Sequence, residues 1–238
     1  MLGQPVLSTD QVVASSDGAS QTKTGNIAPA LSVLGSQTLL SAGALFQDAQ
    51  ANNNGTSAAC AGVIGPNGTI QLGPNQNCLV SGAPSGVVVN LGLAVLRADV
   101  ITAERTAASN GTTTGRATLA NARLTDPTGA ITLLSLPADP APNTAVTVPG
   151  IAELTLNKQS SGTPGQLSVT ALELTLLGGL NGGAQVRLGT VSCGPNAQTA
   201  PIPLVSSAGL PVAGGTMLAG GAVLWLIRRR RSATPANA

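Results

Sequence analysis

The chain has 238 residues, of which 42% are hydrophobic, 8% charged and 1% aromatic. It contains no His and no Tyr, and its 30 Gly and 16 Pro are spread along it without a fixed period. The net charge of +2 depends on four consecutive arginines near the C-terminus, because the rest of the chain has seven Lys and Arg (eleven minus four) against nine Asp and Glu. This composition excludes a collagen-like chain and a basic nucleic-acid-binding surface, so no nucleic-acid partner is expected.

The N-terminal stretch, MLGQPVLSTDQVV, has neither a basic segment nor an apolar one, and so it does not resemble a secretory signal peptide. The tail described below predicts that the preceding residues are exported. We therefore expect that the signal peptide is missing from this sequence, either because the start was placed too late or because a mature form was given a Met.

A weak internal repeat relates residues 42–64 to residues 98–120. The segment ALFQDAQANNNGTSAACAGV aligns with VITAERTAASNGTTTGRATL when Ala44 is placed on Val100. The alignment matches Asn54-Gly55 with Asn110-Gly111, and Asn-Gly between alternating segments predicts a β-hairpin with a two-residue turn. The repeat therefore predicts two similar hairpins.

The second hairpin presents a conflict, since a two-residue turn at Asn110-Gly111 would put Arg105 directly opposite Arg116. A longer loop with a shifted register is the alternative. Asn54, Asn67 and Asn110 each begin an Asn-Gly-Thr sequence, which also fits an N-glycosylation acceptor. Turn chemistry explains these asparagines without glycosylation.

Three cysteines occur, at Cys60, Cys78 and Cys193. Cys60 and Cys78 flank a Gly-rich, weakly patterned loop, and we predict a disulfide between them because export permits pairing. Closing a loop of this length adds about 3 kcal/mol in the chain-entropy model. The alternatives are a pairing that involves Cys193 and three buried thiols.

Polar and apolar residues alternate in several C-terminal segments, among them IAELTLNKQ, QLSVTALELTLL and AQVRLGTVSC. The phase of the alternation changes near Ala171, which predicts a bulge, and again at Gly189. No convincing amphipathic helix precedes the tail. We predict an all-β fold for residues 1–200, an antiparallel sandwich or open barrel that forms one extracellular domain.

Catalytic chemistry has little support in the sequence. Without His the usual general base is missing, and neither a zinc motif nor a phosphate-binding loop occurs. Glu104 and Glu173 fall within predicted strands, where solvated positions are favoured over a carboxylate pair in one cleft. We assign no catalytic, cofactor-binding or metal-binding residue and expect the protein not to be an enzyme.

The C-terminal tail is predicted to cross a membrane. Residues 212–227 are almost all apolar or small and reach about 24 Å as a helix, slightly less than the ~30 Å hydrocarbon core. A basic stop of Arg228, Arg229, Arg230 and Arg231 follows the apolar run. The positive-inside rule places these arginines, with residues 232–238, in the cytoplasm and the N-terminal domain outside. A buried core helix and a cytosolic tail-anchored protein are the alternatives.

The span begins within a recognisable motif. Leu210, Pro211, Val212, Ala213 and Gly214, followed by the apolar run and the arginines, resemble the cell-wall sorting signal of Gram-positive surface proteins. In that signal a sortase cuts within Leu-Pro-x-Thr-Gly and joins the new carboxyl end to peptidoglycan. Ala213 replaces the usual Thr. The resemblance therefore implies either cleavage after Ala213 or retention of the span as a permanent anchor. Residues 210–231 form this sorting region, with residues 201–209 as the linker.

A second resemblance covers about residues 90–193. The segments ADVITAERTA, GTTTGRATLANARL, PNTAVTVPGIAELTLNKQ, LSVTALELTL and VRLGTVSC follow the order found in the choice-of-anchor family of surface proteins from high-G+C Gram-positive bacteria. This resemblance implies a β domain carried on the cell surface. It brings no catalytic activity.

Together these observations predict an envelope-anchored surface protein with a structural or adhesin-like role. Its expected partners are the membrane, through the C-terminal helix, together with a sortase and peptidoglycan. No cofactor is expected. The alternative is a secreted, surface-tethered hydrolase or binding module for cell-wall or environmental polysaccharide, which would need a concave cleft with two convergent carboxylates.

Overall fold

The computed structural model describes residues 12–194 except 17–18, 28–29, 33–37, 83–85, 163–164 and 178–184. For residues 26–27, 30–32 and 38–41 it describes the backbone alone. This part of the chain is built from strands, which confirms the predicted all-β class. None of its segments is a helix long and apolar enough to cross a membrane. The predicted linker, sorting motif, span and cytoplasmic tail lie outside the described residues.

The described residues form seventeen strands. In chain order these are β1 (Gln21–Ile27), β2 (Ala30–Ser32), β3 (Thr38–Ser41), β4 (Ala44–Ala51), β5 (Ser57–Ile64), β6 (Gly68–Leu72), β7 (Cys78–Gly82), β8 (Val87–Asn90), β9 (Val95–Ala98), β10 (Val100–Ala107), β11 (Thr113–Ala120), β12 (Arg123–Thr125), β13 (Thr132–Ser135), β14 (Thr144–Val148), β15 (Ala152–Ser161), β16 (Leu167–Leu176) and β17 (Gln185–Cys193).

The strands form four antiparallel groups. A five-stranded sheet has the order β1-β4-β5-β10-β11, a six-stranded sheet β13-β12-β9-β8-β3-β2 and a four-stranded sheet β14-β15-β16-β17. Strands β6 and β7 form a separate hairpin. None of these sheets is closed. The architecture is thus a set of open sheets and not a closed barrel.

The chain passes directly between the five-stranded and six-stranded sheets at four places, the first of them from β1 to β2. Strand β3 leads into β4 after two residues, β9 into β10 after Asp99 alone, and β11 into β12 after two residues. The amide of Asp99 donates to the carbonyl of Ala120 (2.9 Å), so hydrogen bonding continues through this corner. Strands that change sheets at bends are typical of sheets that pack at a large angle.

The two halves of the internal repeat form adjacent hairpins. Strands β4 and β5 make the first and β10 and β11 the second, with strand ends that correspond residue for residue, from Ala44 with Val100 to Ile64 with Ala120. The hairpins join through antiparallel pairing of β5 with β10. The second hairpin therefore repeats the first after a shift of two strands across the same sheet.

Both hairpins turn through a five-residue loop, so the predicted two-residue turn is wrong. Only the glycine of each Asn-Gly pair has a positive φ, which is 86° at Gly55 and at Gly111. The side chains of Asn54 and Asn110 instead accept hydrogen bonds from the amides of the threonines two residues later, at 3.0 and 2.9 Å.

The longer loop also removes the predicted conflict between two arginines. In the observed register Arg105 lies opposite Gly115, and Arg116 lies opposite Glu104. Arg116 Nη2 is 3.0 Å from Glu104 Oε1. Opposite charges thus face each other where a two-residue turn would have paired like charges.

The four-stranded sheet packs on one face of the five-stranded sheet, and the β6–β7 hairpin packs on the other. The main core is built from Ala, Val, Leu and Ile. Between the five-stranded sheet and the hairpin, Phe46, Cys60, Ile64 and Val100 form a second, smaller core with Ile70 of β6. Small residues bring the two sheets close together, since a Cβ added to Gly115 would lie 2.4 Å from Val169 Cγ2.

Along β15, β16 and β17, side chains alternate between the core and the outer face, and in each strand this alternation changes phase once. The changes occur at Asn157, Ala171 and Gly189, which lie side by side across the sheet, at one level. On β16, all residues from Val169 to Leu174 are buried. The register is the same on both sides of this level, so the predicted bulge at Ala171 is wrong. Asn157 and Gly189 have φ values of 49° and 60°. Because all three strands change phase together, none needs an extra residue.

Gly189→Ala should destabilise the domain more than Gly111→Ala. Both positions have positive φ, which costs an Ala about 1–2 kcal/mol. An added Cβ at Gly111 meets nothing within 4 Å, whereas at Gly189 it would lie 3.0 Å from the carbonyl oxygen of Ala61. We expect a loss of about 2–4 kcal/mol at Gly189 when this contact is added. Chemical denaturation of both variants gives the comparison, and equal losses would contradict close packing of β17 on β5.

Candidate functional site

The sorting residues Leu210–Gly214 and the basic stop Arg228–Arg231 lie outside the described residues. The structure gives the geometry of the β domain that they follow. Three polar groupings stand out there: a carboxylate clamp on the hairpin, an ion-paired triad on the four-stranded sheet, and a buried cluster at the end of β17.

The β6–β7 hairpin is attached covalently to the five-stranded sheet. Cys60 of β5 and Cys78, the first residue of β7, form a disulfide, with their Cα atoms 5.6 Å apart. Cys193 is a buried free thiol. The predicted pairing is therefore present, and the alternatives that paired Cys193 or left three thiols are wrong.

Two carboxylates hold the same end of the hairpin by hydrogen bonds. Asp48 Oδ2 accepts from the amide of Leu72 (2.9 Å), and Glu104 Oε2 accepts from the amide of Cys78 (2.8 Å). Leu72 and Cys78 are cross-strand partners within the hairpin. Asp48 and Glu104 occupy equivalent positions of the internal repeat, so each copy of the repeat supplies one arm of this carboxylate clamp.

A triad of charges crosses the four-stranded sheet. Glu173 of β16 accepts from Lys158 Nζ of β15 (2.5 Å) and from Arg187 Nε of β17 (2.6 Å). Lys158 and Arg187 keep about a third of their side chains exposed, while the Glu173 side chain is 10% exposed. The prediction that Glu173 is a solvated strand residue is wrong, because the two cations cover it.

The surroundings of Glu173 shift its protonation equilibrium. Burial on its own raises the pKa of this carboxyl, but the hydrogen bond from Lys158 and the charges of Arg187 and Lys158 outweigh it. The pKa of Glu173 in the folded protein is therefore lower than its ordinary value. The triad therefore links β15, β16 and β17 through two ion pairs.

Glu104 and Glu173 lie on opposite sides of the molecule. Glu104 points toward the β6–β7 hairpin, on the face of the five-stranded sheet away from the four-stranded one. Glu173 points outward from the four-stranded sheet, since Leu172 and Leu174 beside it on β16 are buried in the core. The structure does not bring these carboxylates into one cleft, and each is engaged by other groups.

A third grouping, which we term the exit cluster, surrounds the end of β17 and consists of Ser57, Arg105, Gly165, Cys193 and Gly194. Ser57 Oγ donates to the carbonyl of Gly194 (2.7 Å), and Arg105 Nη2 donates to the carbonyl of Gly165 (3.4 Å). The Cys193 thiol lies near enough to Arg105 and Ser57 for both side chains to influence its pKa. Ser57, Arg105 and Cys193 are all completely buried.

Charge in the exit cluster is poorly compensated. Burial raises the pKa of the Cys193 thiol, and the nearby Arg105 charge and the Ser57 hydroxyl only partly oppose that shift. Burial also lowers the pKa of the Arg105 guanidinium. Within the described residues, Arg105 Nε and Nη1 have no hydrogen-bond partner.

Sequence reasoning missed this cluster. Arg105 drew attention only as an unwelcome partner for Arg116. The available signal was the alternation along β10. Arg105 lies on the same side of the strand as Ala103 and Ala107, both of which are buried. The repeat gives a second signal, since the equivalent position in the first hairpin is the buried Ala49.

The outer face of the four-stranded sheet is polar and rich in hydroxyl groups. Thr170 and Thr190 pair through their side chains (3.0 Å) next to the triad. Thr155 and Thr175 lie opposite and beside Glu173 and are partly exposed. In the part of the chain that the structure describes, no three His, Cys, Asp or Glu side chains are placed to hold a metal ion.

Comparison with known proteins identifies the tail. A family model for the LPXTG cell wall anchor motif matches residues 205–233. This segment contains the Leu-Pro motif, the apolar run and the arginines. No curated protein and no solved structure matches the chain. The match marks the chain as a cell-wall-anchored surface protein and implies sortase processing and attachment to peptidoglycan.

Glu173→Gln should lower the free energy of unfolding by about 1–2 kcal/mol at neutral pH, because it removes the charge that accepts two charge-assisted hydrogen bonds. The pKa of Glu173 is lowered on folding, so its stabilisation is present above the ordinary value of 4.5 and is lost as the pH falls through the folded-state pKa. The difference between wild type and variant should therefore shrink in acid.

The matched control is Glu153→Gln on β15, an exposed position on the same sheet. It should change stability by less than about 0.5 kcal/mol at every pH. Denaturation curves at several pH values give both results. A loss at Glu173 that is the same at neutral and acid pH would contradict a role for its charge.

Proposed function

We propose that this cell-wall-anchored protein displays its β domain outside the cell, where the domain has a structural or adhesin-like role without catalysis. The anchor match at residues 205–233 carries the proposal. The four arginines that end this segment favour an orientation with the β domain outside. The apolar run between motif and arginines would then act as the membrane span that holds the motif for the sortase.

The β domain supports a non-catalytic role through its polar groups. Three of its four described strand carboxylates are committed to structure: Asp48 and Glu104 hold the hairpin, and Glu173 ties three strands together. The outer face of the four-stranded sheet offers hydroxyl and charged groups for contact with another molecule. A tethered polysaccharide hydrolase would need two convergent carboxylates, and the opposed positions of Glu104 and Glu173 argue against that pair.

We also propose that the β domain is a member of the choice-of-anchor family. The resembling segments correspond to β10–β12 and β14–β17, which include the second hairpin of the repeat and the four-stranded sheet. Membership would account for a β domain that is joined to an anchoring tail.

The mature protein should end at Ala213, joined through its carboxyl group to peptidoglycan. Walls of the native host, digested with a muramidase, should yield a C-terminal peptide that ends at Ala213 and carries a wall fragment, as measured by mass spectrometry. Recovery of the intact chain through Ala238 from the membrane fraction, with no wall-linked form, would contradict cleavage.

Two variants make the test specific. Ala213→Thr restores the usual Thr of the motif and should leave the wall-linked fraction unchanged or raise it. Pro211→Ala removes the residue that fixes an extended or kinked backbone at the motif and should reduce the fraction strongly. If only Ala213→Thr becomes wall-linked, the native tail serves as a permanent membrane anchor.

The orientation can be tested on cells whose wall has been removed. Protease added outside should digest the β domain while a cytosolic marker stays intact, because the arginine-rich end lies inside. Protection of the β domain together with the marker would instead support a cytosolic, tail-anchored protein. Permeabilised cells, in which both should be digested, provide the control.

A further inference from the structure

The exit cluster surrounds the last described residues of the β domain, on the side of the sequence that leads to the anchor match. Strand β17 ends at Cys193, Gly194 follows, and the anchor match begins at residue 205. If the protein is held through this tail, tension carried along the backbone reaches strand β17 through Gly194. The inference below rests on that attachment.

Strand topology makes this end of β17 mechanically weak by itself. Strand β17 is the edge strand of the four-stranded sheet and pairs there with β16. Its last residue, Cys193, pairs with Leu167 at the start of β16. Tension at Gly194 therefore loads this pair first, and the remaining pairs can then open one after another.

The exit cluster connects the same point to a second sheet. Ser57 belongs to β5 and Arg105 to β10, which are adjacent strands inside the five-stranded sheet. Ser57 holds the carbonyl of Gly194 at 2.7 Å, and Arg105 holds the carbonyl of Gly165, which lies next to Gly194. Before β17 can separate from β16 at this end, the buried bond from Ser57 to Gly194 has to break, while Arg105 keeps Gly165, two residues before β16, attached to β10.

A contribution to the free energy of unfolding does not explain why an arginine is buried at position 105. Taking a guanidinium out of water is costly unless its donors are satisfied, and two of its nitrogens have no partner within the described residues. The equivalent position of the first hairpin holds Ala49, completely buried, at no such cost. A directional hold on the segment beside Gly194 gives Arg105 a role that Ala could not fill.

We propose that the exit cluster is a mechanical clasp: Ser57 passes tension from the anchored tail to β5, and Arg105 fixes the segment before β16 to β10, so that β17 does not peel away from β16. The short, directional hydrogen bond from Ser57 resists small displacements of Gly194. The hydrophobic contacts of β17 with the core then bear load only after the clasp has opened.

Single-molecule force spectroscopy tests the clasp on the full chain. Wild type and Ser57→Ala are tethered by tags at the two termini and unfolded at constant force. Loss of one buried hydrogen bond at the loading point should raise the unfolding rate roughly five- to tenfold. Thr113→Ala, at the equivalent position of the second hairpin, is the matched control and should leave the rate within about twofold of wild type.

A second pulling geometry separates the clasp from general destabilisation. In the Leu177→Cys background, a handle on this exposed residue at the end of β16 lets force enter away from Gly194. Ser57→Ala should then unfold at nearly the rate of its Leu177→Cys parent. Equal acceleration in both geometries, or no acceleration through the C-terminus, would overturn the proposal. If Ser57→Ala does not fold, Arg105→Met, which removes the guanidinium donor to Gly165, takes its place under the same criteria.

The result does not depend on sorting in the host. Failure of wall attachment would leave the pulling experiment valid, and a negative pulling result would leave the anchor assignment intact. The two ideas can therefore fail separately.

Discussion

Close approach of two sheets lined with small side chains is the constraint on which the β domain depends. A chain with 1% aromatic residues cannot fill a thick core, so the four-stranded and five-stranded sheets have to meet through Ala, Val, Leu and bare backbone. Gly115 and Gly189 mark two points of close approach, against Val169 and Ala61. Many contacts between small, densely packed side chains then supply the dispersion attraction and the buried apolar surface that aromatic side chains supply in other proteins.

Because the sheets lie this close together, little space between them can hold polar side chains. Several of the polar groups that are buried form hydrogen bonds and ion pairs that link neighbouring strands. The carboxylate clamp and the disulfide fix the hairpin on one face, and the Glu173 triad links three strands on the other side of the molecule. The internal repeat explains why two of these acceptors are alike. A single hairpin pattern, used twice in one sheet, provides Asp48 and Glu104 as matching acceptors.

In the exit cluster the two copies of the repeat differ, and this difference suggests that the cluster has a function of its own. Where the first hairpin has Ala49, the second has a fully buried Arg105 beside a buried thiol. It surrounds the end of β17, the last strand before the anchor match in the sequence. For a protein fixed to a wall, this strand end is where tension carried along the backbone would act on the folded domain.

The sequence by itself determined the all-β class, the two hairpins, the Cys60–Cys78 disulfide and the anchor motif, because each depends on local composition, alternation or spacing along the chain. It did not determine the five-residue loops, the continuous register at Ala171 or the burial of Glu173 and Arg105. Those depend on which strands become neighbours. A two-residue turn was locally favourable, but facing charges on β10 and β11 and the packing of β16 and β17 on the opposite sheet selected another register, and such long-range contacts exist only in the tertiary structure.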